Sequence, residues 1–249
     1  MPIESPTLIM LATYNELENI RDIYLMLRKV VKNVDILFVD DNSPDGTGKI
    51  IDEIIETDPK VFVIHRPDKK GVGSAHRDGI EWAYNRNYNI LVTMDCDLAH
   101  SPMRVPQLLE ASPESDVVVG TRFHEAESLP GWSIYRRLMT HFGNFLTTLL
   151  LNTPQDATGA FRRYNLANIP REYLDVVESD GYSFFFESLH VLHFNGFKIT
   201  EVPIVLPART YGESKMRIVD VMCSVRDLFH QSYKFCFAKS KLRIPKNIA

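Results

Sequence analysis

Five short apolar runs rich in β-forming residues, at 8–12, 36–39, 61–64, 90–93 and 117–119, recur about every 25 to 30 residues, the length of one strand–helix unit. Between them lie four segments, 17–31, 47–55, 74–85 and 103–110, with apolar positions at helical spacing, as Ile20, Ile23, Tyr24 and Leu27 show in the first. A strand that hands over to a helix each time returns to a parallel neighbour. The expectation is an α/β fold of Rossmann-like type, with a mostly parallel central sheet and helices on both faces. Ligands of such sheets sit beyond the carboxyl ends of the strands, so the residues just after each run carry the functional signal.

At that rim the residues are polar. Thr13-Tyr14-Asn15-Glu16 follow the first run, Asp40-Asp41-Asn42-Ser43-Pro44-Asp45-Gly46-Thr47 the second, His65-Arg66 the third and Asp95-Cys96-Asp97 the fourth. Asp95 and Asp97, one residue apart, point to the same side if the backbone stays extended. Two hard carboxylates there suit Mg2+ or Mn2+ and leave coordination positions for substrate phosphates. A solvated turn is the plainer account of the same Asp-x-Asp. Ser43-Pro44-Asp45-Gly46 reads as a turn, with Thr47 capping the helix that follows. The turn does not explain Asp40 and Asp41, adjacent acids that repel at a strand end unless a ligand or cation offsets them.

Beyond residue 120 the rhythm lapses. Residues 122–133, with Pro130, Gly131 and Trp132, read as a long loop and candidate lid. Helical patterns return at 134–151 and 180–195, a last strand is expected at 198–202, and a long helix at 217–237. That helix carries an apolar stripe including Val219, Met222, Val225 and Phe229, with Lys234, Lys239, Lys241 and Arg243 toward its end. Such a pattern fits an anionic membrane surface, and a helix packed on its own domain shows the same stripe.

Net charge of −4 argues against bulk nucleic-acid binding. Three cysteines without metal spacing argue against a disulfide framework and for a reducing compartment. No run reaches the roughly 20 apolar residues of a spanning helix, and the N-terminus lacks the pattern of a signal peptide. His65, His76, His141, His190 and His193 show no metal spacing on a shared face apart from the Glu187 and His190 pair, which fits helix packing. Gly71-x-Gly73 is a weak phosphate-loop signal, read as admitting the donor closely or shaping a helix start.

Six stretches together resemble the inverting glycosyltransferases of family 2, and among them the dolichol- or polyprenol-phosphate mannose synthases. They are Ala12-Thr13-Tyr14-Asn15-Glu16, Val39 with 40–47, Met94-Asp95-Cys96-Asp97, Val118-Val119-Gly120-Thr121-Arg122, Asp156-Ala157-Thr158-Gly159-Ala160-Phe161-Arg162 and Tyr211-Gly212-Glu213-Ser214-Lys215, in family order over nearly the whole chain. The resemblance implies a nucleotide-sugar-binding GT-A fold over 1–215 and an amphipathic helix with a basic tail over 216–249. It implies a donor pocket of Ala12, Thr13, Tyr14, Asn15 and Glu16, with Asp40 and Asp41 at the base and ribose. Asp95 and Asp97, flanking Cys96, would hold the metal on the donor diphosphate. Arg209 and Lys215 would close over that diphosphate from a mobile loop, and Arg122, Arg136 and Thr140 would grip the acceptor's phosphate. Asp156 is the candidate base for a hydroxyl acceptor, or a structural carboxylate.

The implied activity is transfer of a hexose, mannose from GDP-mannose, onto a polyprenyl or dolichyl phosphate with inversion. The protein would sit peripherally on the cytoplasmic face of a membrane, held by its own C-terminal helix or by a membrane subunit. Other readings are a UDP-glucose donor, a saccharide hydroxyl acceptor in surface-polysaccharide assembly, and a non-catalytic nucleotide-sugar-binding scaffold. Two positions depart from the pattern. Ala99 stands where the family usually has a polar residue able to join the metal shell, a place for His100 or water to fill, and Ala160 replaces a second glycine, which narrows the acceptor channel or merely packs differently.

Overall fold

The computed structural model describes residues 5–124, 128–207 and 218–237. The five expected strands are β1 (Thr7–Thr13), β2 (Asp35–Asp40), β3 (Val61–His65), β4 (Ile90–Asp95) and β5 (Val117–Thr121). Between them run α1 (Leu17–Val30), α2 (Thr47–Ile55), α3 (Val72–Asn85) and α4 (Val105–Glu110), the last entered through a 3-10 turn at Pro102–Arg104. Alternation along β1 sends Leu8 and Met10 into one core and Ile9 and Leu11 into another. The second core holds Ile20, Ile23 and Leu27 of α1 with Ile51 and Ile54 of α2, and the first holds Ala75, Ile80 and Ala83 of α3. Both faces of the sheet are therefore covered, which is why its strands read as continuous apolar runs.

Two further strands, β6 (Arg162–Asn165) and β7 (Ile199–Pro203), complete a seven-stranded sheet in the order β3-β2-β1-β4-β6-β5-β7. β1, β2, β3 and β4 pair in parallel, as do β5 and β7, while β6 runs antiparallel between β4 and β5. The sheet is mostly parallel, as expected, but β6 was not anticipated. Its sequence, Arg-Arg-Tyr-Asn, has no strand pattern, yet both arginines are buried. Arg162 donates to the Ala157 carbonyl (2.8 Å) and Ser188 Oγ (3.1 Å). Arg163 donates to the carbonyls of Ala111 (2.9 Å) and Ser115 (2.8 Å), closing the loop after α4. Donors matched this way make the buried cations tolerable.

The remaining helices are α5 (Ile134–Leu151), α6 (Glu172–Asp175), α7 (Ser183–Phe194) and α8 (Ile218–Phe237). Ser133 caps α5 by accepting the Arg136 N–H. α8 packs with one face: Leu228 and Gln231 are buried, Ser232 Oγ donates to the Leu150 carbonyl (3.1 Å), and Phe235 meets His190 and Phe194 edge-on. Its other face points outward, with Met222 and Tyr233 67% and 63% exposed. α5 likewise exposes Leu138 and Leu149, each at 64%, and Phe142. The loop expected as a lid runs into a small apolar cluster in which Leu129 packs with Ala99 and Leu206. Arg209 and Lys215, the division at residue 215, and Lys239, Lys241 and Arg243 all lie outside the described residues.

Two imidazoles are enclosed in this core. His76 donates from Nδ1 to the Val72 carbonyl (2.9 Å) and lies against Phe184 and Phe185, and His190 lies beside Thr153. Burial pushes both down, to about 4. Below the unfolded value of about 6.5, the unfolded chain binds protons that the folded chain refuses, so stability falls as pH drops from about 6.5 toward 4. The melting temperature should decline by several degrees across that window. A flat profile would mean that the imidazoles protonate in place.

Candidate active site

The carboxyl edge is organised by the turn after β2. Asp45 accepts the Thr47 N–H (2.9 Å) and hydroxyl (2.7 Å) and the Leu17 N–H (3.1 Å). Burial opposes its charge, but these bonds hold the carboxyl below the usual carboxylate range. The α2 cap position is Gly46, and Thr47 makes no cap; its hydroxyl instead accepts the Glu16 N–H (2.9 Å). Ser43 Oγ accepts the Asn15 N–H (3.0 Å), so the turn fixes the chain 15–17 directly after β1. Asp40 accepts the Ser43 hydroxyl (2.5 Å) and N–H (3.2 Å), which makes it a buried brace of the turn.

Asp41 is offset by a cation of the protein itself. Arg66, buried after β3, donates from Nη1 to Asp41 and from Nη2 to Ser74 Oγ, and pairs through Nε with Asp78 at 2.8 Å. Burial still raises the Asp41 carboxyl above its usual range, with Arg66 pulling against it. The repulsion inferred at positions 40 and 41 is thus relieved by Ser43 and Arg66, a pairing across 25 residues that the strand-end pattern did not reveal.

Asp95 and Asp97 line one cavity with Ala12, Thr13, Tyr14, Glu16 and Asp41, at about 720 Å³. The Asp95 side chain is 40% exposed, whereas Asp97 is buried and accepts the Ala99 N–H (3.0 Å). Two carboxylates facing one polar cavity fit a divalent cation shared with a phosphate-bearing ligand. Ala99 points into the apolar cluster, and His100, buried and stacked on Phe161, keeps Nδ1 3.3 Å from Asp95 Oδ2 and 3.2 Å from the Asp95 N–H. Among the described residues, no group of three or more His, Cys, Asp or Glu is arranged to hold a metal, so two protein carboxylates are the set on offer. Cys96 lies buried between them, and burial pushes its thiol well up.

The predicted acceptor residues gather elsewhere. Arg122 forks onto Asp156 through Nε (2.9 Å) and Nη2 (2.7 Å) and reaches Thr158 Oγ1 (2.5 Å). Burial works against the Asp156 charge, yet Arg122 holds the carboxyl below its usual range. Such a carboxylate is a poor base and a good clamp. Arg136, on the first turn of α5, lies over the Trp132 ring at 3.6 Å, with half-buried Thr140 one turn further on. Phe123, next to Arg122, touches His141, next to Thr140. None of these residues lines the cavity. Ala160 packs in the core.

Several lining residues escaped the sequence. Lys69 and Lys70 follow β3, and the Lys69 ammonium lies 3.7 Å from the Tyr14 ring centroid. The cavity is also lined by residues 178–183 and by the polar face of α8, including Asp220, Ser224, Asp227 and Gln231. The α8 set recurs at helical spacing, a signal that was present but eclipsed by the apolar stripe. Gly71, at φ 104°, stands at the N-cap of α3, the helix-start role that was one of its two readings, and both Gly71 and Gly73 also admit the protein's own turn at 179–181.

A doubly covered α/β sheet with polar groups and paired acids over its carboxyl edge has the architecture of a nucleotide-binding enzyme. The model of Glycosyl transferase family 2 matches residues 8–169, and the chain belongs to that family. An undecaprenyl-phosphate mannosyltransferase of Micrococcus luteus is 37% identical over 210 residues, 84% of this chain and 86% of that protein. A polyprenol monophosphomannose synthase of Mycolicibacterium smegmatis is 36% identical over 213 residues, 84% of this chain and 80% of that one. Among solved structures, glucosyl-3-phosphoglycerate synthase of Mycobacterium tuberculosis, in complex with Mn2+, UDP and glucosyl-3-phosphoglycerate, aligns with TM-score 0.63 at 18% identity, covering 98% of this chain and 82% of that one. A mannosyltransferase of Pyrobaculum calidifontis, in complex with GDP-Man and Mn2+, aligns with TM-score 0.52 at 17% identity, covering 98% and 66%. Both share the GT-A fold found here.

Proposed function

We propose that this chain transfers mannose from GDP-mannose to a polyprenyl or dolichyl phosphate, inverting the sugar, at the cytoplasmic face of a membrane. The cavity in which Thr13, Tyr14, Glu16 and Asp41 face Asp95 and Asp97 carries this assignment, in a chain whose curated relatives at 36–37% identity bear the names of polyprenyl-phosphate mannosyltransferases. Asp95 and Asp97 would hold Mg2+ or Mn2+, which when bound supplies positive charge to the departing diphosphate. Tyr14, with Thr13 and Asp41, shapes the nucleoside end. Arg209 and Lys215, outside the described residues, would close over the diphosphate.

At the acceptor, Asp156 orients Arg122. The fork uses Nε and Nη2, and Nη1 has no partner among the described residues, which leaves it for a phosphate beside Arg136 and Thr140. A phosphate monoester with a second pKa near 6 arrives largely ionised and needs no enzymic base. That suits a site where Asp156 is enclosed and held low.

The outward rows of α5 and α8 suit a lipid surface. α5 contains no Asp or Glu and carries Arg136 and Arg137 at its start, and α8 turns Asp220 and Asp227 to the cavity. Among the described residues no helix is long and apolar enough to cross a membrane, so contact would be from the surface or through a membrane subunit. The test is incubation with anionic vesicles carrying polyprenyl phosphate, Mg2+ or Mn2+ and a panel of nucleotide sugars. Mannosyl lipid should form from GDP-mannose, with the protein floating on the vesicles. Turnover only with hydroxyl acceptors would refute the lipid-phosphate assignment.

A further inference from the structure

Glu187, on α7, is a carboxylate only 4% exposed, with no cation paired to it among the described residues. Its Oε2 accepts the Ser179 N–H (3.0 Å), and its Oε1 accepts the Glu178 N–H (3.3 Å) and the Gln231 side-chain amide of α8 (2.6 Å). A buried charge persists where donors replace the water it has lost. Two of the donors here, the N–H groups of Glu178 and Ser179, belong to residues that line the cavity.

The same turn is clasped from its other side by α3. The Ser74 N–H donates to the Asp180 carbonyl (3.1 Å), Arg77 Nη1 to the Ser179 carbonyl (2.8 Å), and Arg77 Nη2 to the Asp180 carboxylate. The approach is so close that a Cβ on Gly71 would stand 2.4 Å from the Asp180 carbonyl oxygen, and one on Gly73 2.5 Å from that of Ser179. Immediately before these glycines come Lys69 and Lys70, both in the cavity, with Lys69 against the Tyr14 ring.

We propose that Glu187 is a positioning residue of the transferase: it fixes the turn 178–181 and, through the glycine contact, the Lys69–Tyr14 side of the cavity at the separation the nucleotide sugar needs. The proposal rests on this cavity being the donor site. A carboxylate is required because the turn presents two N–H donors and the α8 amide a third. Glutamine has one acceptor oxygen and would set its own N–H against one of them.

The test compares wild type, Glu187→Gln, Glu187→Gln with Gln231→Glu, and Arg77→Ala, reading KM for donor and acceptor, kcat, melting temperature and calorimetric binding of GDP with Mg2+. Glu187→Gln should raise the donor KM and the GDP Kd about tenfold, with kcat within about threefold and a melting temperature lower by several degrees from the donor left unpaired. The paired swap remakes the bond between 187 and 231 without restoring the second acceptor for the turn, so donor affinity should stay weak. Arg77→Ala loosens the turn from the other side, should weaken donor affinity in the same direction, and decides the matter if Glu187→Gln does not fold. Unchanged donor affinity in a folded Glu187→Gln or in Arg77→Ala, or recovery in the paired swap, would overturn the proposal. If wild type itself bound no GDP, the donor-site assignment would fail and this inference with it; wild-type binding with unaltered variants would sink Glu187 alone.

Discussion

Asp97→Asn should lower turnover by about three orders of magnitude and leave the melting temperature nearly unchanged. Asp97 is buried at the end of the Asp95-Cys96-Asp97 segment and accepts the Ala99 N–H at 3.0 Å. An asparagine oxygen can accept that same N–H, so the backbone after β4 keeps its shape. What disappears is one of the two carboxylate charges that the Asp95-Cys96-Asp97 segment turns to the cavity. Ala99 is packed in an apolar cluster and His100 is stacked on Phe161, so neither takes its place. The loss should fall mainly on kcat, because the charge matters most while diphosphate charge develops. Steady-state kinetics with GDP-mannose, together with a melting curve, checks this. Rates near wild type would remove Asp97 from the chemistry and with it the metal assignment.

The fold was legible where local pattern and tertiary outcome agree. β1, β2, β4 and β5 are buried on both faces and therefore read as apolar runs, the edge strand β3 is half-buried yet apolar, and the limits of α5 at 134 and 151 followed from its periodicity. β6 was illegible because Arg162 and Arg163 are strand residues only by virtue of carbonyls supplied from residues 111, 115 and 157. At the site, the rim position of Asp41, Asp95 and Asp97 was readable, since it depends on where strands end. Their partners were not. Arg66 reaches Asp41 across the sheet edge, and Asp40 turns inward to Ser43, so adjacent acids alike in sequence have different surroundings. Glu187 looked like helix packing because its donors, the N–H groups of 178 and 179 and the Gln231 amide, come from a turn and a distant helix.

Asp156→Ala should destabilise the protein by about 3–5 kcal/mol, because it strands the Arg122 guanidinium in a buried site without its carboxylate. For a chain of this size that corresponds to a melting temperature lower by on the order of 10 °C. Asp156 is 1% exposed, takes both arms of Arg122, accepts the Arg122 and Thr158 N–H groups, and donates its own N–H to Glu201 Oε1 at 2.8 Å. Activity lost in Asp156→Asn therefore does not identify a general base. The two roles separate in which constant moves. A lost base lowers kcat and removes a limb from its pH profile, whereas a loosened Arg122 raises the acceptor KM and leaves that profile in place. Replacing Arg122 and Asp156 together by leucine sharpens the distinction, since an apolar pair of similar volume recovers much of the stability that either single change forfeits. That double variant should melt near wild type and still bind the lipid phosphate poorly. An Asp156→Ala protein as stable as wild type would show the pair to be solvated, and Arg122 would then lose the fixed orientation on which its grip of a phosphate depends.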